Sequence, residues 1–306
     1  MKNNLWTHLF SKDGAFWLVY YLINATPLKK CVPDKWYLTI QYRCFCGKFI
    51  NWKNPKTFNE KLQWLKVYNR KPEYTMMVDK VKVKDYVAQK IGEQYVIPTL
   101  GVWDKPEDID FDALPNQFVL KCNHDSGSIC ICRDKKTFDK SKAVSKLKAA
   151  MKRDMYWDGR EWPYKNVEKK VFAEKYMVDE SGIELKDYKF FCFGGVPTYC
   201  QVISDRNTDE KIDFFDMQWG RLVGLVGLND SIQNSEQDIP CPDSFSEMKL
   251  LAAKLANNLP FSRIDFYEIN HRPYFGEITF FPADALGSFR PMDWNNRMGD
   301  MITLNV

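Results

Sequence analysis

The segment Arg263-Ile-Asp-Phe-Tyr-Glu-Ile-Asn-His-Arg-Pro-Tyr-Phe-Gly-Glu-Ile-Thr279 carries acids at spacings from which chemistry can be read. Two apolar runs flank Asn270 to Arg272, so the stretch predicts a hairpin closed by those three residues, with Ile269 facing Pro273. In that register Asp265 lies opposite Glu277 and Arg263 opposite Thr279. Alternation along a strand puts all four on one face. Like charges directly opposite each other destabilise a strand pair. A divalent cation with oxygen ligands would remove that cost and hold phosphates, and Arg263 could neutralise one acid instead. Spacing alone leaves a metal site and a solvated acidic face equally open.

A second group, Lys121-Cys-Asn-His-Asp-Ser-Gly-Ser128, ends an apolar run with an ammonium and continues into a small polar loop. Successive backbone amides in such a loop can hold an anion, although the same residues make an ordinary hairpin turn. Asp79-Lys-Val-Lys-Val-Lys84 reads as the basic, solvated face of a helix, and Phe172-Ala-Glu-Lys-Tyr-Met177 as a strand running into a polar tip. Two overlapping D-x-D triplets at Asp108 to Asp112 match a pattern with which sugar-nucleotide enzymes hold metal. No apolar strand delivers them, so they read as a surface connection. There is no G-x-G-x-x-G, G-x-x-x-x-G-K-[ST] or G-x-S-x-G motif.

These residues need a scaffold. The region up to about Tyr74 reads as mainly helical, with Thr57-Phe-Asn-Glu60 as a capping box. A helix over Val78–Ile91 stops at Gly92. Strands are expected at Phe118–Cys122, Ile129–Cys132, Val171–Tyr176, Tyr188–Phe193, Thr198–Ile203, Phe261–Ile269 and Pro273–Phe280, with helices at Lys140–Lys152 and Phe245–Asn257. Strands that interleave with single helices and end in hairpins indicate an α+β or mixed α/β body.

The 44 basic and 40 acidic residues leave a net charge of +4, too slight an excess for a dedicated nucleic-acid binder and suited to an anionic small substrate. Three His argue against a His-based zinc site. Nine Cys without a C-x-x-C pair read as reduced, buried thiols of a cytoplasmic protein. The apolar run Ala15 to Ile23 falls far short of the roughly 20 residues that span a bilayer. It reads as a buried helix and leaves room for a peripheral membrane contact through the N-terminal region.

Taken in order, Asn54-Pro-Lys-Thr-Phe-Asn-Glu-Lys61, Val78-Asp-Lys80, Phe118-Val-Leu-Lys-Cys-Asn-His124, Asp187-Tyr-Lys-Phe-Phe-Cys-Phe193 and Phe275-Gly-Glu-Ile-Thr-Phe280 resemble the TupA-like ATP-grasp family, relatives of D-alanine–D-alanine ligase. The likeness runs from about Asn54 to Asp300. It implies an ATP-grasp fold of two α+β lobes that sandwich ATP. A helical region (1–75) would precede a first lobe with the phosphate loop (76–175) and a second lobe with the metal site (176–306).

The resemblance also implies roles. Lys80 and Lys121 would steady ATP phosphates beside Ser126, Gly127 and Ser128, with Lys121 and Arg263 catalytic. Glu174 and Met177 would form the adenine hinge, and Asp187 would bind ribose. Asp265, Glu277 and Thr279 would hold Mg2+, with Thr279 standing where the ligase has Asn. Arg206 is the candidate for a further phosphate or substrate contact. The activity implied is ATP-dependent carboxylate–amine ligation through an acylphosphate. Its substrates would be an amino acid and a uronic acid or related sugar precursor of a bacterial surface polysaccharide. A glycosyltransferase of the same pathways and a non-catalytic nucleotide-binding protein are the rival readings. No nucleic-acid partner and no membrane span are expected.

Overall fold

The computed structural model describes residues 13–179, 185–205 and 209–304. The described residues begin with helices α1 (Gly14–Ala25), α2 (Asp34–Cys46), α3 (Phe58–Tyr68), α4 (Glu73–Val78) and α5 (Lys82–Ile91). The expected capping box opens α3. The Thr57 hydroxyl accepts from the Glu60 amide, and the Glu60 carboxylate accepts from the Thr57 amide, both at 3.2 Å.

The helix expected over Val78–Ile91 is in fact broken. α4 ends at Val78, and Asp79 starts α5 afresh by accepting from the amides of Val81 (2.9 Å) and Lys82 (3.2 Å). The side-chain carboxylate outcompetes the helical ladder at that point, as Asp does near helix starts. Gly92, with φ of 118°, ends α5 where the sequence placed its stop.

Strands β1 (Thr99–Trp103), β2 (Phe118–Cys122) and β3 (Cys130–Cys132) are followed by helices α6 (Lys140–Met151) and α7 (Met155–Gly159) and by strand β4 (Val171–Lys175). The four strands form an antiparallel sheet in the order β1-β4-β2-β3. Its inner face, including Phe118, Leu120, Val171 and Ala173, packs with Leu147 of α6.

A second antiparallel sheet holds β5 (Asp187–Phe193), β6 (Val196–Ser204), β7 (Lys211–Phe215), β9 (Phe261–Ile269) and β10 (Arg272–Thr279), in the order β10-β9-β5-β6-β7. Between β7 and β9 lie β8 (Val226–Leu228) and α8 (Phe245–Ala256). β8 pairs with β11 (Ser288–Arg290), and α9 (Trp294–Asp300) closes the chain against α3. Gly299 permits that approach, because a Cβ there would meet the Lys56 carbonyl oxygen at 2.2 Å.

Phe58, Leu62, Tyr74, Val83 and Val87 share one core with Phe190, Phe214 and Phe261 of the second sheet. Residues of α3, α4 and α5 therefore pack with the second sheet. A separate small cluster, built on Ile23, Tyr37, Leu38, Tyr42 and Ile50, holds the first two helices.

Two sequence expectations need correction. α1 is not a buried helix: Gly14, Trp17 and Ile23 are buried, while Leu18, Val19 and Leu22 face solvent. An apolar sequence with hydrophobic residues all round cannot reveal which side the rest of the fold covers. The thiols are not uniformly buried either, since Cys31 and Cys241 are exposed. No helix among the described residues is long and apolar enough to cross a membrane.

Candidate active site

The β9–β10 hairpin brings Asp265 opposite Glu277 and Arg263 opposite Thr279, as expected, but by a different route. The turn has two residues, Asn270 and His271, with φ of 51° and 58°, so Ile269 faces Arg272 and not Pro273. Those dihedrals are the ones a tight two-residue hairpin requires, and Asn tolerates them best among non-glycines. The register then slips by one residue at Gly276, which lies in a bulge between the Phe275–Phe266 and Glu277–Asp265 pairs. The bulge restores the pairing that a three-residue loop would have given. A Cβ on Gly276 would lie 3.1 Å from the Asp265 carbonyl oxygen, so the close backbone approach suits glycine.

The two acids do not repel across empty space. Arg263 donates from Nε to Asp265 Oδ1 and from a terminal nitrogen to Asp265 Oδ2, each at 2.7 Å. The same nitrogen reaches Glu277 Oε1 (2.9 Å) and the Thr279 hydroxyl (3.1 Å). Thr279 in turn donates to Glu277 at 3.1 Å. Lys189 donates to Asp265 Oδ2 at 2.6 Å, and Lys80 stands 3.5 Å from Glu277 Oε2. Burial pushes the Glu277 carboxyl up, but Lys80, Arg263 and Lys189 outweigh it and hold it well below its ordinary range. Burial works against the Arg263 charge as well, and Asp265 and Glu277 more than restore it.

The first sheet supplies the facing wall. Lys121, near the end of β2, donates to Glu174 Oε2 at 2.5 Å, and Lys84 of α5 meets Oε1 at 2.7 Å. Lys84 also donates to the Ile97 carbonyl and the Thr99 hydroxyl. Burial pushes the Lys84 ammonium down despite Glu174. Burial alone would raise the Glu174 carboxyl, yet Lys121 and Lys84 together lower it. One buried acid between two lysines leaves surplus positive charge at the cleft wall. Lys80 is set beside it by its own backbone amide, which donates to the Asn123 carbonyl at 3.1 Å. Asn123 ties the end of β2 to the chain entering β4 through Lys170 and Glu168.

Lys80, Lys84, Lys121, Glu174, Asp187, Lys189, Asp265 and Glu277 thus line one cleft together with Ser126, Gly127 and Ser128. Gly127 has φ of 93°. The Ser128 hydroxyl is committed within the loop, accepting from the Cys122 amide and donating to Asp125 Oδ1 at 2.6 Å. Asp187 is buried at the start of β5, 3.6 Å from Lys189. Met177 follows β4 and is half-buried. Arg206 lies outside the described residues. The three acids of the D-x-D triplets are solvent-exposed: Asp110 accepts from the amides of Asp112 and Ala113, an ordinary surface turn.

Sequence reasoning missed three cations. Lys84 falls one helical turn beyond Lys80, a spacing that could have flagged it, but it was read as solvated. Lys189 alternates with Asp187 in a strand, so both share a face. It supplies a basic residue from the middle strands of the second sheet. Lys66 is fully buried and donates to Asp284 Oδ1 (2.5 Å) and to the carbonyls of Asp284 and Gly159 (2.8 Å each). With Gln63 on the Asp284 and Ala285 carbonyls and Asn59 on the Gly287 carbonyl, it clamps the segment that follows β10. Asn59, Gln63 and Lys66 recur at i, i+4 and i+7, a polar stripe on α3 turned inward. Ala283, Asp284 and Ala285 are held with φ of 50°, 57° and 55°, a strained run that only such external bonds sustain.

Among the described residues no cluster of three or more His, Cys, Asp or Glu could hold a metal by itself. Two adjacent carboxylates still fit Mg2+, which is commonly bound by one or two carboxylates with substrate phosphates completing its shell.

A cleft between two antiparallel sheets, walled by paired lysines and carboxylates, defines the class as an ATP-grasp body. The chain belongs to the TupA-like ATP-grasp family, whose model matches residues 60–303. Among curated proteins no relative matches. Solved structures give a distant likeness. D-alanine–D-alanine ligase from Bacillus anthracis, complexed with ATP, is 18% identical over 74% of this chain and 63% of its own, with a TM-score of 0.41. L-amino acid ligase from Bacillus licheniformis is 12% identical over 92% and 58%, at 0.41. D-alanine–D-alanine ligase from Helicobacter pylori is 12% identical over 81% and 67%, at 0.44. The chain spans between 58% and 67% of these structures, and likeness at this level fixes no residue equivalence.

Proposed function

We propose that the protein is an ATP-dependent carboxylate–amine ligase. The observation that carries this reading is the convergence of Lys80, Lys84, Lys121 and Lys189 on carboxylates in one cleft of an ATP-grasp chain. In the absence of nucleotide the acids hold these ammonium groups in place. ATP, as substrate, brings phosphates that take over as their partners.

Ile97, Phe172 and Phe275 give the cleft an apolar wall suited to a purine. Glu174 and Met177 mark the adenine end, Asp187 the ribose, and the Ser126–Ser128 loop the phosphates. Asp265 and Glu277, with Thr279 beside them, would hold Mg2+, which neutralises phosphate charge when bound. A substrate carboxylate oxygen attacks the γ-phosphorus, forming an acylphosphate and releasing ADP. The amine nitrogen then attacks the acyl carbon, phosphate leaves with the bonding pair, and the nitrogen gives up a proton. Arg263 stabilises the charge that develops on the acyl oxygen, and Lys121 that on the transferring phosphoryl group.

The finer reading is that an amino acid is joined to a uronic acid or related sugar of a bacterial surface polysaccharide, in the cytoplasm. Family membership supports it, and nine free thiols fit a reducing compartment. The test is incubation with ATP, magnesium and a panel of amino acids and uronic-acid sugars, followed by mass spectrometry. An amide product with ADP and phosphate is expected. AMP with pyrophosphate would exclude the acylphosphate route, and a stable phosphorylated acceptor would overturn the ligase reading.

A further inference from the structure

The face that α1 turns to solvent consists of Ala15, Leu18, Val19, Leu22 and Ala25, which fall on one side of the helix. Leu18, Val19 and Leu22 are 47%, 43% and 54% exposed. The helix has no charged residue along its length. Scattered exposed apolar residues are ordinary, but a contiguous stripe on a folded surface marks something it meets. Leu28, in the turn that packs against α1, and Trp36, at the start of α2, are also exposed.

The charge of the N-terminal region is equally one-sided. Residues 1–56 contain nine Lys and Arg against two acids, Asp13 and Asp34, whereas the whole chain has 44 against 40. Both acids are already engaged, Asp13 by Arg43 and Asp34 by Arg70. Lys30, Lys35, Lys48 and Lys53 are exposed. The positive excess of the protein therefore sits in the region that carries the apolar stripe.

We propose that this face rests on an anionic lipid bilayer. α1 lies in the plane of the interface with its apolar stripe among the upper acyl chains, and the lysines lie over headgroup phosphates. The helix is twelve residues long, too short to span, but an apolar face in a basic region is what interfacial binding uses. Tyr20 and Tyr21, half-buried on the same helix, are of a residue type that favours the headgroup level. A second copy of the chain is a poorer occupant, since a two-fold contact would set the same positive charges against each other.

The test is flotation of the full chain with phosphatidylcholine vesicles, with and without phosphatidylglycerol. Wild type is expected to float with the phosphatidylglycerol vesicles, less so as salt rises. Leu18→Gln with Leu22→Gln should weaken binding roughly tenfold or more while leaving the melting curve and ATP affinity unchanged. Lys30→Ala with Lys35→Ala should weaken it less. Failure of wild type to float, or equal flotation of the double-leucine variant, overturns the proposal. Self-association of wild type that the same leucine substitutions abolish would assign the face to a second copy instead, and overturns it too.

Discussion

Asp265 and Glu277 face each other across the β9–β10 hairpin, yet a single guanidinium, that of Arg263, hydrogen-bonds to both. This changes what the pair means without metal. Read from spacing, two opposed acids should gain stability when one is neutralised. In the structure each acid has cationic partners, so neutralising one strands them. Asp265→Asn should therefore destabilise the ligand-free protein by about 3 kcal/mol, the scale for breaking a buried ion pair. Urea denaturation without nucleotide measures it. A variant as stable as wild type would mean that Arg263 and Lys189 are not bound as described.

The pH dependence of Glu277 follows from the same partners. Its folded-state pKa lies below the ordinary value of 4.5, so its ionised form stabilises the fold above that pH. The contribution is lost as pH falls through the folded value. Glu277→Gln should be less stable than wild type near neutrality, and the gap should narrow progressively as pH falls below 4.5. A gap that stays constant with pH contradicts the assignment.

Gly276 sets the register of the acids. Gly276→Ala places a methyl 3.1 Å from the Asp265 carbonyl oxygen and should cost about 1–3 kcal/mol, the range for overpacking. It should also lower affinity for magnesium-ATP, because Glu277 moves with the bulge. Thermal melts with and without ligand test both. A fully retained ligand-induced shift would show that the bulge does not position the acids.

Lys66→Met removes the ammonium that Asp284 and two carbonyls share. About 3–5 kcal/mol should be lost. The segment after β10 should loosen, which urea denaturation and limited proteolysis measure. A variant as stable and as resistant as wild type would mean that Lys66 does not clamp that segment.

Much of this was legible in the sequence, for identifiable reasons. β9 and β10 announce themselves by alternation, and the Thr57–Glu60 cap by its local chemistry. The Asp265–Glu277 pairing came out right although the assumed turn was one residue too long, because the Gly276 bulge offsets it. Lys84 and Lys189 carried only a weak spacing signal, because their partners, Glu174 and Asp265, lie far away in sequence, and a lysine's burial depends on such partners. The break at Asp79 lost to an apolar periodicity that continues straight through it. The short strands β8 and β11 exist only through their mutual pairing.

The central claim, that this cleft binds ATP through its lysines, is tested most directly by calorimetric titration with magnesium-ATP. Wild type should bind, and Lys121→Ala and Lys84→Ala should each bind roughly ten- to a hundredfold more weakly while remaining folded, since a charge-assisted hydrogen bond is worth about 1.5–3 kcal/mol. Absence of binding to wild type, or full affinity in both variants, would contradict it.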